Sequence, residues 1–123
     1  MAFTNLETNK ILQYVNKKYA TKPEFLWRKF PGNAILRRKD SKKWYGAILT
    51  IPKQKLGINE AGNVDILDLK CDPMLISSLI DKKSFFPGYH MNKTHWITIL
   101  LDGSVKEKFL FSLIDQSYEI SKK

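Results

Sequence analysis

Two short apolar segments separated by only four residues constrain the fold of this chain more than any other feature. Residues 34–39 and 44–51 are typical of β-strands, and the polar stretch 40–43 between them has the length of a hairpin loop. Parallel strands need a crossover of a dozen or more residues, so these two strands are expected to be antiparallel neighbours. Further strands are predicted at 64–70 and 96–101.

Three helices are predicted around this sheet. The first spans about 5–19 and opens with a capping box at residues 4–7. The second spans about 73–81, because Asp72 is a preferred N-cap and a proline follows it at the first helical position. The third follows a second capping box at 104–107 and ends near Ile120. The predicted fold class is therefore α+β: an antiparallel sheet of four or more strands, with an N-terminal helix and two later helices packed on one face.

Alternation along the strands divides each of them into two faces. The face predicted to contact the helices consists of Ala34, Leu36, Tyr45, Ala47, Leu49, Ile51, Leu67, Leu69, Cys71, Ile97, Ile99 and Leu101. The opposite face mixes aromatic, cationic and apolar residues: Ile35, Arg37, Trp44, Gly46, Ile48, Thr50, Ile66, Asp68, Lys70, Trp96, Thr98 and Leu100. A face of that composition suits a partly exposed binding surface, or else a loop covers it.

The size and composition of the chain favour one domain. A chain of 123 residues with 43% hydrophobic content can bury one core, so residues 1–123 are predicted to form a single domain. No apolar run reaches the length of a membrane span and no secretory signal opens the sequence, so a cytoplasmic location is expected. A single cysteine, Cys71, cannot form an internal disulfide.

The net charge of +9 is concentrated in one segment. Residues 28–55 contain nine basic residues and one acidic residue, whereas the rest of the chain is nearly balanced. A patch of this kind suits nucleic acid, an anionic membrane or an acidic protein surface, although it can also be a merely solvated hairpin. For nucleic acid, the predicted contacts are the hairpin residues Arg37, Arg38, Lys39, Lys42, Lys43 and Trp44, continued by Lys70, Asn92, Lys93 and Trp96.

A second polar and aromatic cluster supports an alternative function. Pro87 and Gly88 predict a turn, followed by a group that could line a pocket for a small ligand or a protein partner: Tyr89, His90, Asn92, His95 and Trp96. No metal site is predicted, since the two histidines would point to opposite faces of an extended strand. No catalytic residue is predicted either, because Cys71 falls on the apolar face beside the charge of Asp72.

The order of these elements and three local motifs resemble the MmcQ/YjbR family of small bacterial proteins. The motifs are Lys70-Cys71-Asp72-Pro73, the stretch from Tyr89 to Trp96, and the segment from Ile114 to Tyr118. The resemblance covers essentially the whole chain. It implies an α+β fold like that of the bacterial frataxin homologue, also called a double-wing fold, and it implies DNA binding.

Iron binding is not expected to accompany that fold here, because clustered carboxylates are replaced by a basic excess. The sequence thus predicts a non-catalytic nucleic-acid-binding protein with DNA as the favoured ligand and no cofactor. It leaves the oligomeric state open, with a monomer favoured.

Overall fold

The computed structural model describes residues 6–122 and confirms the α+β fold. Five strands form one antiparallel sheet in the spatial order first, second, third, fifth, fourth. The elements are α1 (Leu6–Tyr19), β1 (Ala34–Arg37), β2 (Trp44–Pro52), a short 3-10 helix (Lys53–Leu56), β3 (Asn63–Lys70), α2 (Pro73–Leu79), β4 (Phe85–Pro87), β5 (Trp96–Leu100) and α3 (Glu107–Ile120). Thr4, which the predicted first capping box requires, lies outside the described residues.

All three helices pack on one face of the sheet, as predicted. Each helix turns its apolar stripe towards the strands, and burying a large aliphatic side chain in this way stabilises the fold by about 1.5–3 kcal/mol. The buried cluster on this face includes Ile11, Val15, Ile76, Leu110, Leu113 and Ile114 from the helices and Leu36, Ile48, Leu67, Leu69, Ile97 and Ile99 from the sheet.

A β-bulge in β2 reverses the predicted facing of most of that strand. Leu36 pairs with Gly46 whereas Arg37 pairs with Trp44, so Tyr45 is the extra residue. One extra residue shifts an alternation of period two by one step. The predicted facing was therefore wrong for Ala47, Leu49 and Ile51, which lie on the face opposite the helices, and for Gly46, Ile48 and Thr50, which lie on the helix side.

The face opposite the helices, called the open face below, is partly covered. Its apolar cluster contains Leu49, Ile51, Ile66, Phe86 and Leu100. Trp27, Leu56, Ile58, Val64 and Tyr89 pack against this cluster and are themselves partly buried. Loop residues thus cover part of this face, one of the two possibilities that the sequence allowed.

Two local features differ from the sequence-based predictions. β4 was not predicted, because three residues ending at Pro87 are too few to show an alternation. α3 begins two residues later than predicted, with Lys106 as its N-cap, so the capping box at Ser104 is wrong. The hydroxyl of Ser104 hydrogen-bonds that of Ser84 instead, at 2.7 Å. The predicted Asp72 cap is confirmed, since its Oδ1 accepts from the amide of Met74 at 2.9 Å.

No helix among the described residues is long and apolar enough to cross a membrane.

Candidate nucleic-acid interface

The hairpin loop between β1 and β2, called the wing below (residues 38–43), is anchored to the end of α3 by Arg38. The Arg38 side chain is buried, with its Nε and Nη2 donating to the Asp40 carboxylate at 2.8 and 2.7 Å. Its Nη1 donates to the Tyr118 carbonyl at 2.7 Å, and the guanidinium lies 3.9 Å from the centre of the Tyr118 ring. Bonds from Arg38 and from the Ser41 amide hold the pKa of Asp40 well below its usual range. Arg38 therefore holds the wing in place, and its buried guanidinium is already bonded where the sequence predicted an available phosphate contact.

Arg37 is also engaged, though less deeply. Its Nε donates to the Glu24 carboxylate at 3.1 Å and its Nη1 donates to the Lys42 carbonyl at 2.9 Å. Both side chains of the Arg37–Glu24 pair are partly exposed, so the pair contributes less than about 1 kcal/mol. A phosphate reaching Arg37 would have to compete with Glu24.

Beside the wing is a depression of about 560 Å³, called the basic cleft below. The residues that line it are Ala20, Thr21, Lys22, Glu24, Arg37, Arg38, Lys39 and Lys42. Lys22, Lys39 and Lys42 are exposed, and no carboxylate among the described residues forms an ion pair with them. Lys22 was missed from sequence because it precedes the basic segment. It reaches the cleft because the chain turns sharply after α1, where Ala20 has a φ of 55°.

Lys70 and Trp96, which were predicted to extend the basic surface, are only partly available. Lys70 is half-buried, and burial lowers its pKa, helped by the charge of Lys43. Its Nζ lies 5.7 Å from the centre of the Trp96 ring. Trp96 is only 9% exposed, so it is a buried residue and not the exposed aromatic that was predicted.

Asn92 and Lys93 shape the turn that precedes β5. Asn92 Oδ1 accepts from the amide of Thr94 at 2.8 Å, and its carbonyl accepts from the amides of His95 and Trp96. The Lys93 amine donates to the Gly88 carbonyl at 3.0 Å. These contacts give both residues a structural part, and because both are exposed their contact with bases or phosphates stays a prediction. A Cβ on Gly88 would lie 2.9 Å from the Trp96 Cβ, so only glycine fits there.

A second depression, of about 550 Å³, lies over the open face and is called the aromatic cleft below. Its lining is Trp27, Phe30, Asn33, Trp44, Leu49, Thr50, Ile51, Pro52, Lys55, Tyr89, His90 and Met91. The rings of Trp27 and Trp44 meet edge to face at 6.1 Å. Leu49 and Ile51 are part of this site only because the bulge in β2 turns them to this side.

The alternative ligand site predicted around residues 89–96 is only partly assembled. Tyr89 and His90 line the aromatic cleft, whereas Asn92, His95 and Trp96 do not. Within the described residues, no group of three or more histidine, cysteine, aspartate or glutamate side chains is placed to hold a metal ion. Sequence reasoning missed Trp27 and Phe30 as cleft residues. Their signal was an apolar and aromatic run between two prolines, which by itself is ambiguous between strand and loop.

The turn that contains Tyr89 and His90 is supported from beneath by a buried carboxyl. Thr98 donates its hydroxyl to Asp68 Oδ1 and accepts from the Tyr89 amide at 2.7 Å. The second oxygen of Asp68 has no hydrogen-bond partner among the described residues. Burial raises the pKa of Asp68 to about 7.

The two clefts lie side by side. Arg37, which lines the basic cleft, is the cross-strand partner of Trp44, which lines the aromatic cleft. Paired residues of neighbouring strands lie about 5 Å apart at Cα. A chain molecule can therefore contact both clefts at once.

Known proteins with similar sequences match half or nearly all of this chain. The YyaQ protein of Bacillus subtilis, named as uncharacterized, is 41% identical over 117 residues, which cover 95% of this chain and 99% of that protein. The YjbR protein of Escherichia coli, also named as uncharacterized, is 36% identical over 63 residues, about half of each chain.

Solved structures agree with the fold and the family. A crystal structure of a Pseudomonas syringae protein superposes with a TM-score of 0.87 at 46% identity, covering 91% of this chain and 96% of that one. A Deinococcus radiodurans protein at 24% identity has a TM-score of 0.70 over 93% of this chain and 78% of its own, which supports the fold alone. The model of the YjbR family matches residues 16–120. The chain belongs to the YjbR family.

Proposed function

We propose that this protein binds nucleic acid through the basic cleft and the wing, with DNA as the first ligand to test. The observation that supports this most is the set of lysines without acidic partners among the described residues, Lys22, Lys39 and Lys42. Lys43 adds a further exposed cation at the start of β2. Lysines of this kind neutralise phosphates, and the release of counterions supplies the affinity.

The segment that borders the aromatic cleft also supports this function. Phe25, Leu26 and Phe30 are 43–57% exposed, and Arg28 and Lys29 lie between them. Cations interleaved with exposed apolar rings are typical of surfaces that track a nucleic-acid backbone and stack against its bases.

We further propose that the role is binding and not catalysis. Cys71 is the strongest nucleophile in the sequence, but it is buried at the end of β3. Burial raises the pKa of its thiol, and the neighbouring Asp72 charge adds to that effect. Both effects disfavour the thiolate that nucleophilic catalysis needs.

The test is a salt titration of binding to fluorescent duplex and single-stranded DNA. The wing variant reverses three charges of the wing: Lys39→Glu, Lys42→Glu and Lys43→Glu. The control variant makes the same total change in charge elsewhere: Lys83→Glu, Lys106→Glu and Lys108→Glu. Lys106 and Lys108 flank the start of α3, and the wing docks at the end of that 14-residue helix. A helix of that length is about 21 Å long, so the control lies well away from the wing.

The wild-type affinity is expected to fall with salt at a slope that implies about four or more phosphate contacts. The wing variant is expected to lose at least about tenfold in affinity. Its slope of log affinity against log salt concentration is expected to correspond to about three fewer phosphate contacts. The control variant is expected to keep the wild-type slope. Equal losses in the two variants would show only a general attraction between charges, and no binding at physiological salt would overturn the proposal.

A further inference from the structure

We propose that the aromatic cleft receives an unpaired base of a single-stranded nucleic acid whose phosphates lie in the basic cleft. The inference rests on the proposed function and adds to it a preference for single strands over duplexes. It also assigns a ligand chemistry to the open face of the sheet.

The size and lining of the aromatic cleft suit a planar aromatic group. Its volume of about 550 Å³ falls within the range of small-molecule sites. Trp27, Phe30, Trp44 and Tyr89 contribute rings to its walls. Bases stack on such rings whatever their identity, because every base has a π-face. In a duplex the base faces are already stacked on one another, so only an unpaired base can enter.

Charge at the rim favours an anionic ligand over a neutral one. Lys55 lines the cleft and is exposed, and Lys43 directly precedes Trp44. Lys53, two residues before Lys55, pairs with Glu60 at 3.1 Å, whereas Lys55 has no such partner among the described residues. A free aromatic metabolite would use the rings alone, whereas a nucleotide would use both the rings and these cations.

The two clefts are close enough for one nucleic-acid strand to contact both. Arg37 and Trp44 are cross-strand partners at the boundary between the clefts. A strand whose phosphates contact Lys39 and Lys42 therefore runs past Trp44, where its next base can turn into the aromatic cleft.

Besides Lys55, the polar side chains that line the aromatic cleft are Asn33, Thr50 and His90. Asn33 Oδ1 already accepts from the Thr50 amide at 2.9 Å, and the Thr50 hydroxyl donates to Asp65 at 2.6 Å. The exposed His90 has its ring 4.1 Å from that of Tyr89. Because so few uncommitted polar groups do not distinguish four bases, the binding is expected to tolerate any sequence.

The experiment compares three probes at one salt concentration: a single-stranded thymidine dodecamer, the same backbone with every base removed, and the duplex of the dodecamer with its complement. Fluorescence anisotropy gives the affinity, and tryptophan quenching reports on the cleft. The cleft variant is Trp27→Leu, Phe30→Ala, and the control is Phe109→Ala, since Phe109 is 41% exposed near the start of α3. Phe30→Ala alone, at a ring that is 57% exposed, repeats the test if Trp27→Leu does not fold.

Wild-type protein is expected to bind the base-containing single strand at least about tenfold more tightly than the abasic strand. The cleft variant is expected to lose most of that difference while keeping its affinity for the abasic strand, and Phe109→Ala is expected to behave as wild type. Equal affinity for all three probes, or a single-strand preference that the cleft variant retains, would overturn this inference and leave the proposed function standing. Failure to bind any probe would overturn both.

Discussion

At the scale of single residues, Asp68 is the least expected feature of the sheet. It is a carboxylic acid with no exposed surface, between Ala47 and Thr98 in the middle of the open face. Burial raises its pKa to about 7, while the Thr98 hydroxyl and the charge of Lys93 work in the opposite direction. Through Thr98 it supports the turn that brings Tyr89 and His90 to the aromatic cleft.

This pKa predicts that the free energy of unfolding falls as the pH rises from about 4 to about 7. The carboxyl of an unfolded chain has a pKa near 3.9, so between these values only the folded state keeps the proton on Asp68. The stabilisation is complete below pH 4 and is lost as the pH rises through 7. We expect Asp68→Asn to remove about 4 kcal/mol of this decline, measured by urea unfolding at pH 4 to 8.

The other titratable groups serve as the internal control for that measurement, because both proteins keep them. Plotted against pH, the free energies of unfolding of wild type and variant should converge towards low pH and separate towards high pH. The variant should be the more stable protein above pH 7. If the free energies of the two proteins changed with pH in parallel, Asp68 would not be the group that holds a proton in the folded state between pH 4 and 7.

At the scale of elements, the wing and α3 are joined by contacts far apart in sequence. Arg38 bonds the Tyr118 carbonyl, and the hydroxyl of Ser41 donates to the Ser121 carbonyl at 2.7 Å. One residue before Tyr118, Ser117 donates its hydroxyl to the carbonyl of Tyr45, the bulge residue, at 2.5 Å. The last turn of α3 thus sets the position of the loop that we propose as the phosphate contact.

Arg38→Ala is therefore expected to destabilise the protein by about 2–4 kcal/mol. The substitution removes a buried guanidinium that pairs with the largely exposed Asp40, donates a charge-assisted bond to the Tyr118 carbonyl and stacks on the Tyr118 ring. Arg37→Ala removes the same charge from the neighbouring position but only a partly exposed pair, so its expected cost is within about 1 kcal/mol. Denaturant unfolding of the two variants measures this difference. Equal costs would show that the wing is not held by Arg38.

At the scale of the whole molecule, both edges of the sheet are protected. Beside β1, Glu24 and Ile35 exchange two backbone hydrogen bonds at 3.0 and 2.9 Å, so the preceding segment covers part of that edge. The other edge is β4, which is three residues long and ends in a proline. Short, proline-ended or covered edges resist pairing with another sheet.

We therefore expect a monomer of 14.3 kDa, which sedimentation equilibrium at about 100 μM would measure. A mass of twice that value would contradict the expectation. The exposed Phe25, Leu26 and Phe30 would then be the surface to test, since Phe30→Ala should weaken a dimer formed there. The cytoplasmic location and the extent of the single domain stay predictions.

Local patterns in the sequence were enough for most of the elements and for their order. The hairpin, the Asp72 cap, four of the five strands and the concentration of charge around residues 28–55 depend on residues close together in the chain. Propensity, capping and period act over such distances. They also determine the facing of β1, β3 and β5, where no bulge interrupts the alternation.

Tertiary structure decided which of the predicted site residues are available. The guanidinium of Arg38 is bonded to a carbonyl that lies 80 positions away in the sequence. Trp96 is buried in the sheet, although the sequence predicted an exposed ring. The bulge at Tyr45 moved Leu49 and Ile51 to the open face, and a turn after α1 brought Lys22 beside the wing. Sequence alone determined the fold class and the sign of the charge, because these follow from local pattern and composition. The free lysines and the aromatic cleft depended on packing between distant segments, which no local pattern encodes.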